Sequence, residues 1–374
     1  MPNSRTHTPA TALFIGLLSA LCGPVAAQNM ESTQTQPEAA ALDLANNHDD
    51  DSLMGILDLS NYTFRDFTGY WENDGAGPNF IDDTDRYYTN GNGLELSFDP
   101  NLNAALRSRL SAADHWDQDS LRFGAGIALK QRIYTAEDIT IDDPPARDHP
   151  YAGYLTIALS FQRADDTTHD HFGLDLGVVG HASGSESIQK WIHSTVPDEL
   201  EPRGWETQLS DEPTINFAYT RTWKTKKAEF SGLELELLPS VGFDAGTVLI
   251  SARTSMTLRI GKNLPSDFGP AQLLTHKDHT VSFRDSHDAD WSVYAYTRIG
   301  ADAIARDIFI DGNAFAGSRS AEREPLVAIA SFGIVARYKS LYLSWSQSIQ
   351  TERFERQTDD QTWGSIVIGC SFDW

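Results

Sequence analysis

The chain has 374 residues, with 53 Asp and Glu against 29 Lys and Arg, a formal net charge of -24 and two cysteines. A surface this acidic repels nucleic acid, and two cysteines cannot supply a disulfide framework. No run approaches the roughly 20 apolar residues of a spanning helix, so a helical membrane protein is excluded.

At the amino terminus Arg5 precedes an apolar run at 12–21, and Val25 and Ala27 sit at cleavage spacing. The pattern predicts a secretory signal peptide over residues 1–27. Leu21 stands where a lipoprotein signal needs a small residue, so Cys22 leaves with the peptide and Cys370 remains alone. No intramolecular disulfide can then form. Residues 28–57 are acidic and polar, too poor in apolar side chains to build a core, and read as a flexible leader. Residues 58–374 form the folded unit.

From Tyr62 onward, runs of about 10 to 14 residues alternate apolar and polar, each closed by Asp, Gly, Pro or Asn. Twelve are legible, centred near residues 67, 93, 127, 156, 175, 217, 236, 254, 297, 332, 346 and 368. The second places Leu94, Leu96 and Phe98 opposite Glu95 and Ser97. The third carries Gln131 in phase with Phe123, Ile127 and Leu129, and the fourth sets Leu155, Ile157, Leu159 and Phe161 on one face. The seventh and eighth, joined by "FDAGT", form a hairpin in which Glu234 and Glu236 share a face with Arg253 and Arg259 and can neutralise them. The last holds Ile366, Ile368, Cys370, Phe372 and Trp374 in phase to the end. Its terminal aromatic resembles the signal that outer-membrane barrels present to the barrel assembly machinery.

About 9 to 11 residues span a bilayer when a strand is tilted, whereas sandwich strands more often run about 5 to 6. Length and even strand number therefore predict an all-β fold, a twelve-stranded antiparallel transmembrane barrel of the bacterial outer membrane. Its apolar faces meet lipid and its charged faces pair in the lumen. With both termini periplasmic, the breaks near 73–86, 135–148, 182–211, 243–247, 305–325 and 353–362 face outward. The longest of these carries the one convincing helix. Ser183 or Ser185 caps it, Pro197 ends it, and a stripe of Ile188, Trp191, Ile192 and Thr195 anchors it while His193 projects beside the stripe.

Five motifs then come in order: "ENDGAG" (72–77), "TDRYYTNG" (84–91), "DHPYAGYL" (148–155), "SIQKWIH" (187–193) and "RGWETQLSDEPTINFAY" (203–219). In order and approximate spacing they resemble the lipid A 3'-O-deacylase family of Gram-negative outer membranes. The resemblance covers nearly all of the chain after the leader. It implies removal of a 3'-linked acyl chain from the lipid A of lipopolysaccharide, with calcium as cofactor. Carried over by position, it implies Asn73, Asp74, Thr89 and His193 as site residues and Glu199 as a further acidic position, with Asp198 and Glu201 as competitors. The family's oxyanion-side lysine has no counterpart here, since the second outer loop offers as basic side chains only Arg147 and His149.

Chemistry agrees with the carry-over. His193 is the right type to activate water, because an unperturbed imidazole titrates near neutrality. Asp74 and Glu199 offer the hard oxygens that calcium takes, and the cation can stand in for the missing lysine at the oxyanion. Gln131 joins the set by topology, near the top of the third strand on the lipid-facing side. Taken singly, Asn73 and Asp74 read as turn residues, and Tyr87 and Tyr88 as aromatics of the membrane-interface belt. The rival readings are a serine phospholipase, for which "HAS" at 181–183 is the nearest Ser-His pair, and a non-enzymatic barrel or porin. Both termini inside the cell envelope put the site at the extracellular leaflet.

Overall fold

The computed structural model describes residues 62–75, 78–81, 84–102, 104–111, 116–117, 119–195, 200–270 and 288–372. The expected signal peptide, the acidic leader, Pro197, Glu199 and Trp374 lie outside the described residues.

Thirteen strands follow in order: β1 (Tyr62–Asn73), β2 (Tyr87–Pro100), β3 (Arg122–Thr135), β4 (Ala152–Ala164), β5 (Thr168–Val179), β6 (Glu212–Trp223), β7 (Ala228–Phe230), β8 (Leu233–Gly246), β9 (Leu249–Lys262), β10 (Trp291–Asp307), β11 (Leu326–Tyr338), β12 (Leu341–Gln350) and β13 (Gln361–Ser371). Twelve of them are the staves of a closed antiparallel barrel, and β7 is a three-residue continuation of the β6 rail along β8. The first and last strands pair from Asp66↔Ser371 to Asn73↔Gly364. The ring closes from Asn216↔Gly246 to Thr222↔Ser240. Every predicted strand is present. Among the described residues two short α-helices accompany the expected one, α1 (Ala104–Ser111) near one rim and, near the other, Ile308–Asp311; neither carries a long apolar stripe, so neither is legible by periodicity.

The barrel is inside-out relative to a water-soluble protein. Leu94, Leu96, Ile127, Leu129, Ile157, Leu159, Met256, Leu258, Ile334 and Leu343 are all exposed, while Glu95, Ser97, Lys130, Arg132, Asp170, Glu236 and Arg259 are buried. Period-two alternation satisfies both sides at once, since successive side chains leave opposite faces of a strand. The lumen is filled rather than open. At one rim Tyr88, Tyr134, Tyr154, Val179, Phe309 and Trp363 pack together across the mouth, and near the other Leu264, Tyr294, Tyr296 and Val335 do the same.

Lumen charges pair as the hairpin requires, with one change of partner. Arg259 is fully buried, with its Nε donating to Glu236 at 2.7 Å and its Nη1 ion-paired with Asp267, which also meets Arg337 at 3.4 Å. Arg253 instead pairs with Asp244, and Glu234 with Lys227 and the backbone N–H of Leu264. The reason is register. Strand β8 runs on through Gly246, so Gly242, not a glutamate, lies opposite Arg253. Removing one member of a buried charge cluster strands the others and costs about 3–5 kcal/mol. Arg259→Ala is therefore expected to lower the unfolding free energy in detergent micelles by that amount, whereas Glu234→Gln, at a half-exposed pair, changes it by less than about 1 kcal/mol. Equal stabilities for the two variants would contradict this assignment.

Candidate active site on the outer wall

The loops expected to face outward share the rim opposite the first residue of β1, and the candidate residues gather there. Asn73 ends β1, where its Nδ2 donates to Thr89 O at 3.0 Å and its Oδ1 accepts from Gly75 N at 2.9 Å. It is a turn residue, as its type suggests, and it also ties β1 to β2. Asp74 is buried: its Oδ2 accepts from Arg86 N at 2.8 Å and from Thr84 Oγ1 at 3.2 Å, while Oδ1 is sealed from solvent with no hydrogen-bond partner among the described residues. The chain then folds back flat on the outer wall. Asn79 Oδ1 accepts from Gln347 Nε2 at 2.7 Å and Trp345 Nε1 donates to Pro78 O at 2.9 Å. That contact needs Gly364, where a Cβ would lie 2.0 Å from Pro78 backbone atoms.

Two backbone irregularities shape the entry to β2. Tyr87 has φ 62, in the left-handed region that side-chain-bearing residues avoid, and the register against β3 slips between Tyr88 and Asn90, leaving Thr89 as the extra residue of a bulge. Consequently both tyrosines turn inward. Tyr87 is 3% exposed against Ile310 and Phe354, and Tyr88 packs on Tyr134 and Trp363 with its hydroxyl donating to Glu72. The belt reading of these two aromatics is thereby corrected. Thr89 is left beside Thr135, with the two hydroxyl oxygens 2.8 Å apart.

The expected helix is α2 (Ser185–Thr195), and it lies on the wall over β3 and β4. Ser183 Oγ accepts from Ser185 N and donates to Gly180 O, so the one serine in a His-x-Ser sequence caps a helix. Gly153 makes the approach possible, because a Cβ there would lie 2.1 Å from Ser183 Oγ and 2.5 Å from Ser185 Cβ. The helix is docked the other way round from expectation. Ile188 and Trp191 are exposed, Trp191 by 57%, whereas Ser185 and Gln189 are buried. Those two and His193 follow one another at four-residue spacing, one face of a helix. That face finds polar partners, the Asp85 carboxylate and the Trp205 indole N–H, so it docks and the apolar stripe looks outward, as on the strands.

On that docked face the site closes. His193 Nε2 lies 3.1 Å from Asp85 Oδ2, and its Nδ1 lies 2.6 Å from Leu200 O. Gln189 donates to Asp85 Oδ1 at 3.4 Å and accepts from the buried Trp205 indole at 2.9 Å. Thr135 Oγ1 reaches Asp85 O at 3.4 Å. Gln131 keeps the outward phase of the exposed Ile127 and Leu129, yet it is buried because the loop before α2 covers it, its Nε2 donating to Ser183 O at 3.1 Å. Asn73, Asp74, Thr89, Gln131 and His193 thus share one sector of the outer wall, with Asp85 and Gln189 as links between strand and helix. Asp85 and Trp205 sit inside two of the motifs, where nothing in residue type singles them out.

Burial, with the charge of Asp85 next, pushes the Asp74 carboxyl well above the usual carboxylate range. A buried carboxylate with a sealed oxygen lacking a donor, and the Asp85 carboxylate whose charge it feels, offer hard oxygens of the kind a divalent cation takes. Among the described residues no group of three or more His, Cys, Asp or Glu could hold a metal ion. His149 does not fill the place of a missing cation. Its ring stacks on Tyr134 at 5.7 Å, its Nδ1 contacts Pro150 O, and burial, with Arg353 next, pushes its pKa down to about 3, so it stays neutral. Arg147 is exposed.

A family model described as "Outer membrane protein LpxR" matches residues 13–372. Among solved structures, LpxR from Salmonella typhimurium aligns with a TM-score of 0.66 at 16% identity, over 82% of this chain and 100% of that one, a likeness of fold. The β domain of the Bordetella autotransporter BrkA aligns at 0.42 and 12% identity, over 83% and 99% of the two chains. The translocator domain of NalP from Neisseria meningitidis aligns at 0.37 and 9% identity, over 86% and 92%. No curated protein matches this sequence.

Proposed function

The chain belongs to the LpxR family of outer-membrane proteins, the lipid A deacylases, and from that premise we propose that it hydrolyses the 3'-linked acyl ester of lipid A on the outer wall of its barrel, with His193 as the base. The observation that carries the reading is the site's position. The described site residues Asn73, Asp74, Thr89, Gln131 and His193 gather on the outer side of the wall, while buried side chains fill the lumen near each rim. A lipid whose chains stay in the bilayer meets such a site; a solute passing through a pore does not. The filled lumen speaks against a porin, and the capping role of Ser183 against a serine phospholipase.

The chemistry follows from the side chains present. Leu200 O accepts from Nδ1 and fixes the ring, which leaves Nε2, on the Asp85 side, as the nitrogen that takes a proton from the reacting water. Water gives one proton to His193 as its oxygen bonds to the ester carbon. The tetrahedral intermediate then breaks its bond to the sugar oxygen, which takes the proton back from His193, leaving a carboxylic acid and a free 3'-hydroxyl. Asp85, 3.1 Å from Nε2, stabilises the protonated ring between these steps. Thr89 and Gln131, buried beside the site, would hold its frame, Thr89 against Thr135 and Gln131 against the loop before α2. Asp74, with Asp85 beside it and Glu199 as a further candidate, would hold calcium, which when bound supplies positive charge to the developing oxyanion. The proposal places the site at the extracellular leaflet, reached after signal-peptide removal and insertion by the barrel assembly machinery.

Purified protein mixed with lipid A in detergent tests the reading. Equimolar release of the 3' acyl chain and of a 3'-deacylated lipid A is expected, and cleavage of phospholipid in its place would favour the other lipid esterase.

A further inference from the structure

Asp85 and Tyr87 are two residues apart, yet they lie on opposite sides of the barrel wall. Asp85 meets His193 outside, whereas Tyr87 is sealed within the mouth against Ile310 and Phe354. The crossing depends on the left-handed backbone of Tyr87 and on the bulge at Thr89. A conformation that a tyrosine avoids persists only where its surroundings hold it.

The holder is the β12–β13 loop, residues 351–360. Phe354 stands edge-on to the Tyr87 ring at 5.4 Å, and the Tyr87 hydroxyl lies 3.4 Å from Thr358 Oγ1. Arg86 is taken from the same side by Asp359 at 3.3 Å. The loop is itself braced. Arg353 pairs with Asp307, Glu324 N donates to Arg353 O at 2.8 Å, Glu355 N donates to Glu322 O at 2.9 Å, and Phe354 forms a bridge with Arg323. Those partners belong to the end of β10 and to the connection between β10 and β11, and β11 is four strands round the ring from β2. The loop is thus a strut across the mouth that ends on Tyr87. The short segment it pins also presents Arg86 N to Asp74 and Asp85 to His193.

We propose that Tyr87 is a positioning residue, clamped from inside the barrel by Phe354, and that this clamp sets where Asp85 and the Arg86 amide stand at the site on the outside. The inference rests on the reading of His193 and Asp85 as the catalytic pair. Phe354 stands against the Tyr87 ring at 5.4 Å and against the His149 ring at 5.8 Å, so the Tyr87 variants distinguish the clamp from a general effect on the mouth.

A misplacement of about 1 Å can cost on the order of 100-fold in rate. Tyr87→Ala and Phe354→Ala, purified in detergent with lipid A as substrate, are expected to lower kcat by about 10- to 100-fold while KM stays within about twofold. Tyr87→Phe, which keeps the ring, restores most of kcat. Phe354→Leu keeps the site apolar, should fold where the alanine variants do not, and gives an intermediate loss. The imidazole nitrogen NMR signals of His193 supply a readout independent of turnover and are expected to shift in Phe354→Leu. A folded Phe354→Leu with wild-type kcat and an unmoved His193 spectrum overturns the clamp, as does a loss confined to KM. If the wild type releases no acid, the proposed function fails, and the His193 spectrum alone still decides whether Phe354 governs the position of the pair.

Discussion

Replacing His193 by alanine is expected to lower acyl release by about 10²- to 10⁴-fold, the range by which a positioned general base contributes to proton transfer, with the barrel intact. The side chain is held by two contacts outside the lumen, to Asp85 and Leu200 O, and the residues of its helix that dock on the wall are Ser185 and Gln189. Truncation should therefore leave heat-modifiable electrophoretic migration and β-sheet circular dichroism unchanged. Asp85→Asn keeps the shape but removes the charge that stabilises the protonated ring, so a smaller loss is expected there. The order of the two losses is the test: His193→Ala as active as Asp85→Asn, or more so, removes His193 from the role of base.

The second large effect is expected at Asp74. Its burial and the Asp85 charge make the carboxyl reluctant to ionise, a cost that a bound divalent cation offsets. Asp74→Asn should abolish calcium-dependent activity, with a loss of at least about 100-fold, comparable to losing a principal stabiliser of the oxyanion. Chelation of calcium from the wild type should mimic the variant and re-addition should reverse it. The pH dependence has a definite sign. The folded-state pKa of Asp74 lies above its ordinary value of 3.8, so protons compete with calcium, and apparent calcium affinity, full above the folded pKa, falls as pH drops through it. Without calcium the same group makes the fold less stable as pH rises from the unfolded value through the folded one. A chelated wild type with undiminished turnover, or calcium affinity indifferent to pH in that window, contradicts the assignment.

Much of this architecture is legible in the residues, because a barrel strand is a local object. Leu94, Leu96 and Phe98 against Glu95 and Ser97 already state which side meets lipid, and Gln131 already carries the outward phase of Ile127 and Leu129. What resists reading is whatever depends on a second element. The helix over residues 185–195 is visible, but its docked face is not: the rule that an apolar stripe packs inward assumes water outside, and the partners that draw in the polar face, Asp85 and Trp205, come from other elements. Arg253 finds Asp244 in place of a glutamate because the end of β8 is fixed by its pairing with β6 as well as by its own alternation. Asp85 looks like one more loop carboxylate, since its role follows from the backbone at Tyr87 and the bulge at Thr89, neither of which residue type announces. Glu199 lies outside the described residues, so its part in the site stays with the proposal.

The central claim is that this barrel removes the 3'-linked acyl chain of lipid A through a site centred on His193 and Asp74. Mass spectrometry of lipid A from cells of a defined lipopolysaccharide background, expressing the wild type, His193→Ala or no protein, tests it most directly. The account predicts a lipid A species lighter by the 3'-linked acyl group with the wild type and unmodified lipid A in the other two. Unmodified lipid A with the wild type at confirmed outer-membrane levels, or the lighter species persisting with His193→Ala, would contradict it.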